Sequence, residues 1–266
     1  MKRVRFPHLF VAGTDTGVGK TVVTAALLAA ARNAGADAFP MKPVQTGCKG
    51  RSLRAPDLEF CLKMAGLHLS SLEQNLLCPA RYRSACSPHL ATEREGKPIR
   101  IDRLIRRWKV LCETHETVIA EGAGGLLVPL NHRWLLIDLI ARFGAPVLLV
   151  VRNRLGALNH TLLSLDALRV RRLPVAGYVL VEDPETPRKI RESNEKTLRR
   201  IASAHWLGTL PYMSHLAVSP PDPELFQRDT RCFAVAVWSA LGIKQPSVPS
   251  NEPFRGRRPP MTRTAL

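Results

Sequence analysis

A glycine-rich segment near the start of the chain has the residue types of a phosphate-binding loop. Its sequence over residues 13–21 is GTDTGVGKT, between an apolar run and an alanine-rich run. Glycines let successive backbone N–H groups turn toward an anion, a helix N-terminus adds partial positive charge, Lys20 can reach phosphate oxygens and Thr21 can hold Mg²⁺. The alternative is a glycine-rich turn with an incidental lysine. The apolar strand predicted before the loop and the helix predicted after it favour nucleotide binding.

The loop is a variant of the strict pattern, because threonine stands at position 14 where that pattern has glycine. Partition and septum-site ATPases share this variant but carry a signature lysine where this chain has Asp15. An acid at that position argues against membership of that branch.

Two later segments could bring a second lysine and a carboxylate to the same place. Lys42 precedes Pro43, and a proline favours an extended residue before it, so Lys42 is predicted to end a strand beside the phosphate site. Glu121 is predicted to end a strand, and the glycine-rich residues 122–125 are predicted to form a loop after it. A carboxylate there could contact a metal, and the glycines could approach an anionic ligand closely. Taken alone, Lys42 could be a surface lysine and the Glu121 segment a plain turn.

The elements that would position these residues alternate along the chain. Strands are predicted over His8–Ala12, Ala38–Lys42, Thr117–Glu121, Pro146–Arg152, Pro174–Val181 and Trp206–Leu210. Helices are predicted over Lys20–Asn33, Asp57–Ala65, Asp102–His115, Leu135–Phe143, Ala157–Val170, Pro187–Ala204 and Glu224–Leu241. Apolar strands separated by helices predict an α/β fold with a parallel sheet covered on both faces. Ligands bind at the carboxyl ends of such strands.

Composition predicts one globular domain over residues 1–243. Apolar residues make up 45% and charged residues 23% of the chain, and no apolar run reaches 18 residues, so no membrane span is predicted. The six cysteines lack metal-site or disulfide-framework spacing and predict reduced thiols in the cytoplasm. Residues 244–266 hold five prolines and four arginines and are predicted to form a disordered tail.

The net charge of +17 raises a polyanion such as DNA as a partner. The arginines are scattered, however, and few aromatic residues lie among them, which argues against nucleic acid. A P-loop ATPase that acts as a polyanion-binding module remains the alternative function.

In this order, the segments resemble the dethiobiotin synthetases, ATP-dependent enzymes of biotin synthesis. The resemblance covers roughly residues 8–242 and is carried by GTDTGVGKT, by KPVQTG at 42–47, by EGAGGLLVPL at 121–130 and by LGALNH at 155–160. It implies a P-loop NTPase three-layer sandwich with about seven parallel strands, working as a homodimer. The implied reaction carboxylates 7,8-diaminononanoate with CO₂ and closes a cyclic urea, consuming ATP through a carbamate and a carbamic-phosphoric anhydride. A rival amide-forming ligase of cobyrinate type would need a glutaminase domain, for which no room remains.

The resemblance also implies residue roles. Lys42 and Lys20 would be catalytic, and Thr21, Asp57 and Glu121 would hold Mg²⁺. The implied nucleotide site comprises Gly17, Val18, Gly19, Lys20, Thr21, Val22, Asp57, Glu121, Gly122, Ala123, Gly124, Val181, Glu182, Leu210, Pro211 and Tyr212. The implied substrate site comprises Thr46 and Gly125, together with Gly156, Ala157 and Asn159 of the partner subunit. Ser87, Pro88 and His89 would shape the substrate pocket.

Three positions depart from the family pattern or stay open. Asp57 also fits an ordinary acidic first turn of a helix, and Ala55 replaces the asparagine usual before it. Val181 stands where the family has an adenine-reading asparagine, which leaves the base preference open. Tyr212 could equally belong to the core or stack on the base.

Overall fold

The structure is a computed structural model that describes residues 6–218 and 220–243. The predicted tail, residues 244–266, lies outside the described residues. The strands are β1 Leu9–Gly13, β2 Ala38–Met41, β3 Val44–Gln45, β4 Ala80–Arg81, β5 Thr117–Gly125, β6 Val147–Asn153, β7 Val175–Glu182 and β8 Trp206–Leu210. The helices are α1 Lys20–Asn33, α2 Pro56–Met64, α3 Ser71–Leu77, α4 Pro88–Glu95, α5 Ile101–Thr114, α6 Leu136–Phe143, α7 Ala157–Val170, α8 Arg188–Ile201, α9 His215–Val218 and α10 Pro223–Ala240.

Six strands form one parallel sheet in the order β2-β5-β1-β6-β7-β8. Its central strands are buried along nearly their whole length, as expected for a sheet covered on both faces. Helices α1, α2 and α10 pack together on one side, and α5–α8 pack in neighbouring pairs that contact β5 and β6 on the other. The predicted α/β fold with helices on both faces is confirmed.

Among the described residues the main sheet has six strands rather than about seven, and a small second sheet has two. The chain leaves β2 at Met41, one residue earlier than predicted, and the Lys42 N–H donates to the Leu77 carbonyl at 2.9 Å instead of continuing the sheet. Pro43 has no N–H to donate. Val44 and Gln45 then pair with β4 in a separate two-stranded parallel sheet.

The seven predicted helices are all present, with ends that differ by a few residues. Helix α8 is the clearest shortening, because the chain becomes extended at Ala202 rather than continuing to Ala204. The short helices α3, α4 and α9 were not predicted. Helix α3 buries one residue and starts with a Ser70–Glu73 capping box, so local hydrogen bonds rather than an apolar stripe define it.

Parallel strands bring several predicted functional segments to one edge of the sheet. The phosphate loop follows β1, Lys42 follows β2, and Glu121 lies within β5 between them. Within residues 6–218 and 220–243, none of the helices has both the length and the apolar character to cross a bilayer.

Candidate functional site

The phosphate loop is a tight backbone turn fixed at both ends. The Thr14 N–H donates to the Val150 carbonyl at 3.0 Å, which joins the start of the loop to β6. Gly17 and Gly19 have φ angles of 71° and 99°, in the left-handed region that favours glycine. The Lys20 ammonium donates to the Asp15 carbonyl at 2.7 Å and so folds back over the loop.

Lys42 is buried between two carboxylates. Its Nζ lies 2.6 Å from Asp57 Oδ2 and 2.6 Å from Glu121 Oε1, and it donates to the Gly122 carbonyl at 3.2 Å. Glu121 Oε1 also accepts a hydrogen bond from Thr21 Oγ1 at 2.9 Å. The structure therefore brings together residues from four separate segments that the sequence assigned to catalysis and metal binding.

The charges in this cluster depend on one another. Burial alone would lower the pKa of Lys42, but the carboxylates of Glu121 and Asp57 outweigh burial and raise it above the ordinary lysine value. Burial, followed by the positive charge of Lys42, lowers the pKa of Lys20 to about 8. Burial raises the pKa of Glu121, although the positive charge of Lys42 and the hydrogen bond from Thr21 act in the opposite direction. Lys42 is thus protonated and held in place.

The glycine-rich segment after Glu121 was predicted to be a loop, and that prediction is wrong. Strand β5 continues to Gly125, which pairs with Gly13 after an irregularity in the β1–β5 register. A Cβ at Gly122 would lie 2.9 Å from Leu136, and one at Gly125 would lie 3.3 Å from the Thr14 carbonyl. Residues 122–125, including Ala123 and Gly124, therefore run directly beside the phosphate loop.

Backbone hydrogen bonds hold the predicted substrate-side segments against neighbouring parts of the chain. Thr46 directly follows β3, and the next residue, Gly47, donates to the Ser84 carbonyl at 3.2 Å. Helix α4 begins at Pro88 after Ser87, and the His89 N–H donates to the Pro129 carbonyl at 3.2 Å. These bonds tie the segment around residue 46 to residue 84, and residues 87–89 to residue 129.

The predicted base-binding residues lie at the ends of β7 and β8. Val181 contacts the phosphate loop, because a Cβ at Gly19 would meet its side chain at 3.1 Å. Glu182 Oε2 lies 2.7 Å from Arg191 Nη1. Leu210 is buried and pairs with Val181 in the sheet, and Pro211 follows it. Tyr212 is 47% exposed, so it is not a core residue, and its stacking on the base stays a prediction.

Other predicted residues occupy conventional positions. Val18 is buried and packs directly against Gly13, because a Cβ added to Gly13 would contact its side chain. Val22, in α1, packs against the hydrophobic core. Gly156, with φ 89°, caps α7, followed by buried Ala157 and exposed Asn159. Among the hydrogen bonds and ion pairs of the described residues, none joins these three to Lys42 or Thr46, so their role at a partner subunit's site stays a prediction.

Sequence reasoning missed a polar network at the end of β6. Arg152 binds Asp183 through Nε and Nη2, each 3.0 Å from a carboxylate oxygen. The buried amides of Asn153 and Asn194 are hydrogen bonded to each other at 3.0 Å. The run of three polar residues after an apolar strand was the available signal, but their partners lie far away along the chain.

Comparison with known proteins identifies the family. A family profile described as an AAA domain matches residues 7–219. The ATP-dependent dethiobiotin synthetase of Anaeromyxobacter dehalogenans is 39% identical over 241 residues, covering 89% of this chain and 97% of that protein. The one from Thermodesulfovibrio yellowstonii is 35% identical, covering 78% of this chain and 89% of that protein.

Solved structures show the fold alone. A chain of the MinC:MinD cell division complex of Aquifex aeolicus superposes with TM-score 0.56 at 11% identity, covering 91% of this chain and 98% of that one. The septum site-determining protein MinD of Pyrococcus horikoshii gives TM-score 0.51 at 13% identity, with coverages of 89% and 93%. The sequence relatives decide the family, and the chain belongs to the ATP-dependent dethiobiotin synthetases.

Proposed function

We propose that this chain converts 7,8-diaminononanoate, CO₂ and ATP into dethiobiotin, ADP and phosphate. The observation that carries the proposal is the position of Lys42. Its buried ammonium forms an ion pair with Glu121, and Glu121 accepts a hydrogen bond from Thr21 of the phosphate loop. A nucleotide in that loop would present its terminal phosphate to two lysines from different segments, Lys20 at the start of α1 and Lys42 just after β2.

The proposed chemistry needs positioning and charge neutralisation. One amine of the substrate adds to CO₂ and loses a proton, giving a carbamate. A carbamate is a poor electrophile because its oxygen leaves badly. Its oxygen therefore attacks the γ-phosphorus of ATP, the bond from that phosphorus to the bridging oxygen of ADP breaks, and a carbamic-phosphoric mixed anhydride forms. The second amine attacks the anhydride carbon, closes the urea ring and releases phosphate. Lys20 and Lys42 would stabilise the developing negative charge, and Thr46 and Gly125 would contact the substrate.

The residues near the loop suit Mg²⁺. Thr21, Asp57 and Glu121 supply a hydroxyl and two carboxylates, the hard oxygen ligands that this ion prefers. No group of three or more His, Cys, Asp or Glu side chains clusters in the described part of the chain. That fits an ion that completes its coordination with water and phosphate oxygens. When bound, Mg²⁺ would neutralise phosphate charge.

A homodimer in the cytoplasm is part of the proposal. Leu155, Leu163 and Val170 are 84%, 62% and 70% exposed and follow one another at one-face spacing along α7 and the turn before it. Helix α7 begins at the residues predicted to bind the substrate carboxylate in the partner's site. The six cysteines are free thiols, which is compatible with a reducing compartment.

A purified-protein assay tests the function. It supplies 7,8-diaminononanoate, bicarbonate and Mg²⁺, compares ATP, CTP and GTP, and follows dethiobiotin by mass. Product that requires every component and is lost in Lys42→Ala supports the ligase and ranks the bases, which Val181 leaves open. Lys109→Ala, on an exposed position of α5, is the matched control. No product from folded protein that still binds ATP would contradict the ligase and favour a polyanion-binding ATPase.

A further inference from the structure

We infer that Arg154 is a further catalytic residue, whose guanidinium binds the γ-phosphoryl group of the nucleotide. The inference rests on the proposed function and adds a third cation to the phosphate site. It comes from the position of Arg154, the rigidity of its backbone, and the contact that its side chain makes.

Arg154 lies directly beside the phosphate loop. Strands β1 and β6 are parallel neighbours, with Gly13 opposite Val150, so both chains leave the sheet at the same edge. The hydrogen bond from the Thr14 N–H to the Val150 carbonyl holds the two exits together at 3.0 Å. Arg154 follows β6 at this edge, just as Lys20 follows β1.

The backbone of Arg154 is fixed by buried side chains. Its carbonyl accepts from Asn194 Nδ2 at 3.1 Å and from the Ala157 N–H at 3.0 Å. Asn194 also donates to Asn153 Oδ1, and Asn153 donates to the Arg191 carbonyl at 3.1 Å. A side chain on such a support needs little rearrangement to meet a ligand.

The Arg154 guanidinium already points to the loop. Its Nη2 is 3.9 Å from Asp15 Oδ2, while the Lys20 ammonium donates to the carbonyl of the same Asp15 at 2.7 Å. Two cations thus converge on one residue of the loop. The ion pair between Arg154 and Asp15 is long, and the Arg154 side chain is 44% exposed. A phosphate group that accepts two parallel N–H bonds from the guanidinium would therefore be a better partner for Arg154 than Asp15 is.

The other cations nearby are already committed. Arg152 is bound through two nitrogens to Asp183, and Arg191 is paired with Glu182. Lys42 lies between two carboxylates, which offset its charge. Lys20 and the partly offset Lys42 leave much of the negative charge of a triphosphate unbalanced, and Arg154 would supply further positive charge. Such an arginine, supplied from the same chain, is a general device in phosphoryl transfer.

The test compares Arg154→Ala with wild type and with Arg169→Ala, an exposed arginine on α7 paired with Asp166. In Arg154→Ala we expect kcat for dethiobiotin to fall about 100-fold. We expect the Kd of a non-hydrolysable ATP analogue to rise about tenfold, while that of ADP changes less than about threefold. Added guanidinium ion should restore part of the kcat of Arg154→Ala and leave Arg169→Ala unchanged.

Three results would overturn the inference: a kcat within about threefold of wild type, equal weakening of ADP and ATP-analogue binding, or no rescue by guanidinium in a variant that unfolds at the wild-type temperature. Equal weakening would mean that Arg154 shapes the loop. If wild type itself makes no dethiobiotin, the proposed function fails, and the ADP comparison still tests the phosphate contact.

Discussion

Lys42 and Asp57 form an ion pair in which Nζ and Oδ2 are 2.6 Å apart. The lysine side chain is 4% exposed and the aspartate 32%. Asp57 therefore keeps one side open to solvent while it holds Lys42. A carboxylate in this position can hold water or a cation without giving up the lysine.

We expect Asp57→Asn to weaken the response to Mg²⁺. The amide keeps the size of the side chain but loses the negative charge that attracts the ion. The Mg²⁺ concentration for half-maximal activity should rise about tenfold, in line with the loss of one ligand interaction. A titration with Mg²⁺ at saturating ATP measures it. Glu59→Gln, in the same first turn of α2, is the control. If both variants need the same Mg²⁺ concentration for half-maximal activity, Asp57 is not a metal ligand.

Removing one partner of the buried Lys42–Glu121 pair should destabilise the fold more than removing both charges. Lys42→Met leaves Glu121, which is 3% exposed, without its cation, at a cost of about 3 kcal/mol. Lys42→Met combined with Glu121→Gln should recover much of this loss. Urea unfolding of the wild type, both single variants and the double variant measures the coupling. Additive losses would mean that the two charges do not interact.

Gly19→Ala should impair nucleotide binding, whereas Gly35→Ala should not. Both glycines have a positive φ, 99° and 86°, so both substitutions carry a backbone cost of about 1–2 kcal/mol. A Cβ at Gly19 would also press on Val181 at 3.1 Å, while nothing lies within 4 Å of one at Gly35. Calorimetry with an ATP analogue should show at least about tenfold weaker binding for Gly19→Ala only. If both variants bind the ATP analogue with the same affinity, close packing of Gly19 against Val181 does not matter for nucleotide binding.

The Asp183–Arg152 pair should contribute stability that depends on pH. The hydrogen bonds from Arg152 hold the pKa of Asp183 below its usual value, against the opposing effect of burial. A carboxyl whose pKa is lower in the folded state stabilises the fold at pH values above its unfolded pKa of about 4. This contribution is lost as the pH falls through the pKa of the folded state. Asp183→Asn should therefore cost about 1–3 kcal/mol at neutral pH and much less near pH ~3. Thermal unfolding at both pH values checks this, and a cost independent of pH would refute it.

Leu163→Asp should convert a dimer into a monomer. The residue is 62% exposed on the apolar stripe of α7, where a charge would resist burial. Light scattering should show half the mass of the proposed homodimer, and the KM for 7,8-diaminononanoate should rise because the carboxylate site proposed on the partner would be lost. Leu72→Asp, at a position of α3 that is 79% exposed, should change neither. A Leu163→Asp dimer would place the interface elsewhere.

The parts of the site predicted from sequence are those with a local signature. The loop around Lys20 is defined by glycines and by its place between a strand and a helix, and Pro43 marks the end of the strand before it. Glu121 was located by its apolar strand, yet the continuation of β5 to Gly125 depends on pairing with Gly13, which no local pattern encodes.

The remainder depends on contacts between distant residues. Asp183 lies 31 positions from Arg152, and Asn194 lies 41 from Asn153, so their pairing follows from the sheet rather than from spacing. The β3–β4 sheet is equally non-local, since its two-residue strands are too short for a detectable alternation. Asp57 fits both descriptions considered at the start, because it stands in the first turn of α2 and also reaches Lys42.

Helix α10 has a consequence for the order in which the protein matures. The Trp238 indole N–H donates to the Leu27 carbonyl of α1 at 3.1 Å, and its ring packs edge-on against Phe6 at 4.9 Å between centroids. The helix that carries Lys20 is therefore completed by a residue near the far end of the chain. A polypeptide still emerging from the ribosome lacks this contact until residue 238 is free, so α1 can complete its packing only after α10 has been synthesised.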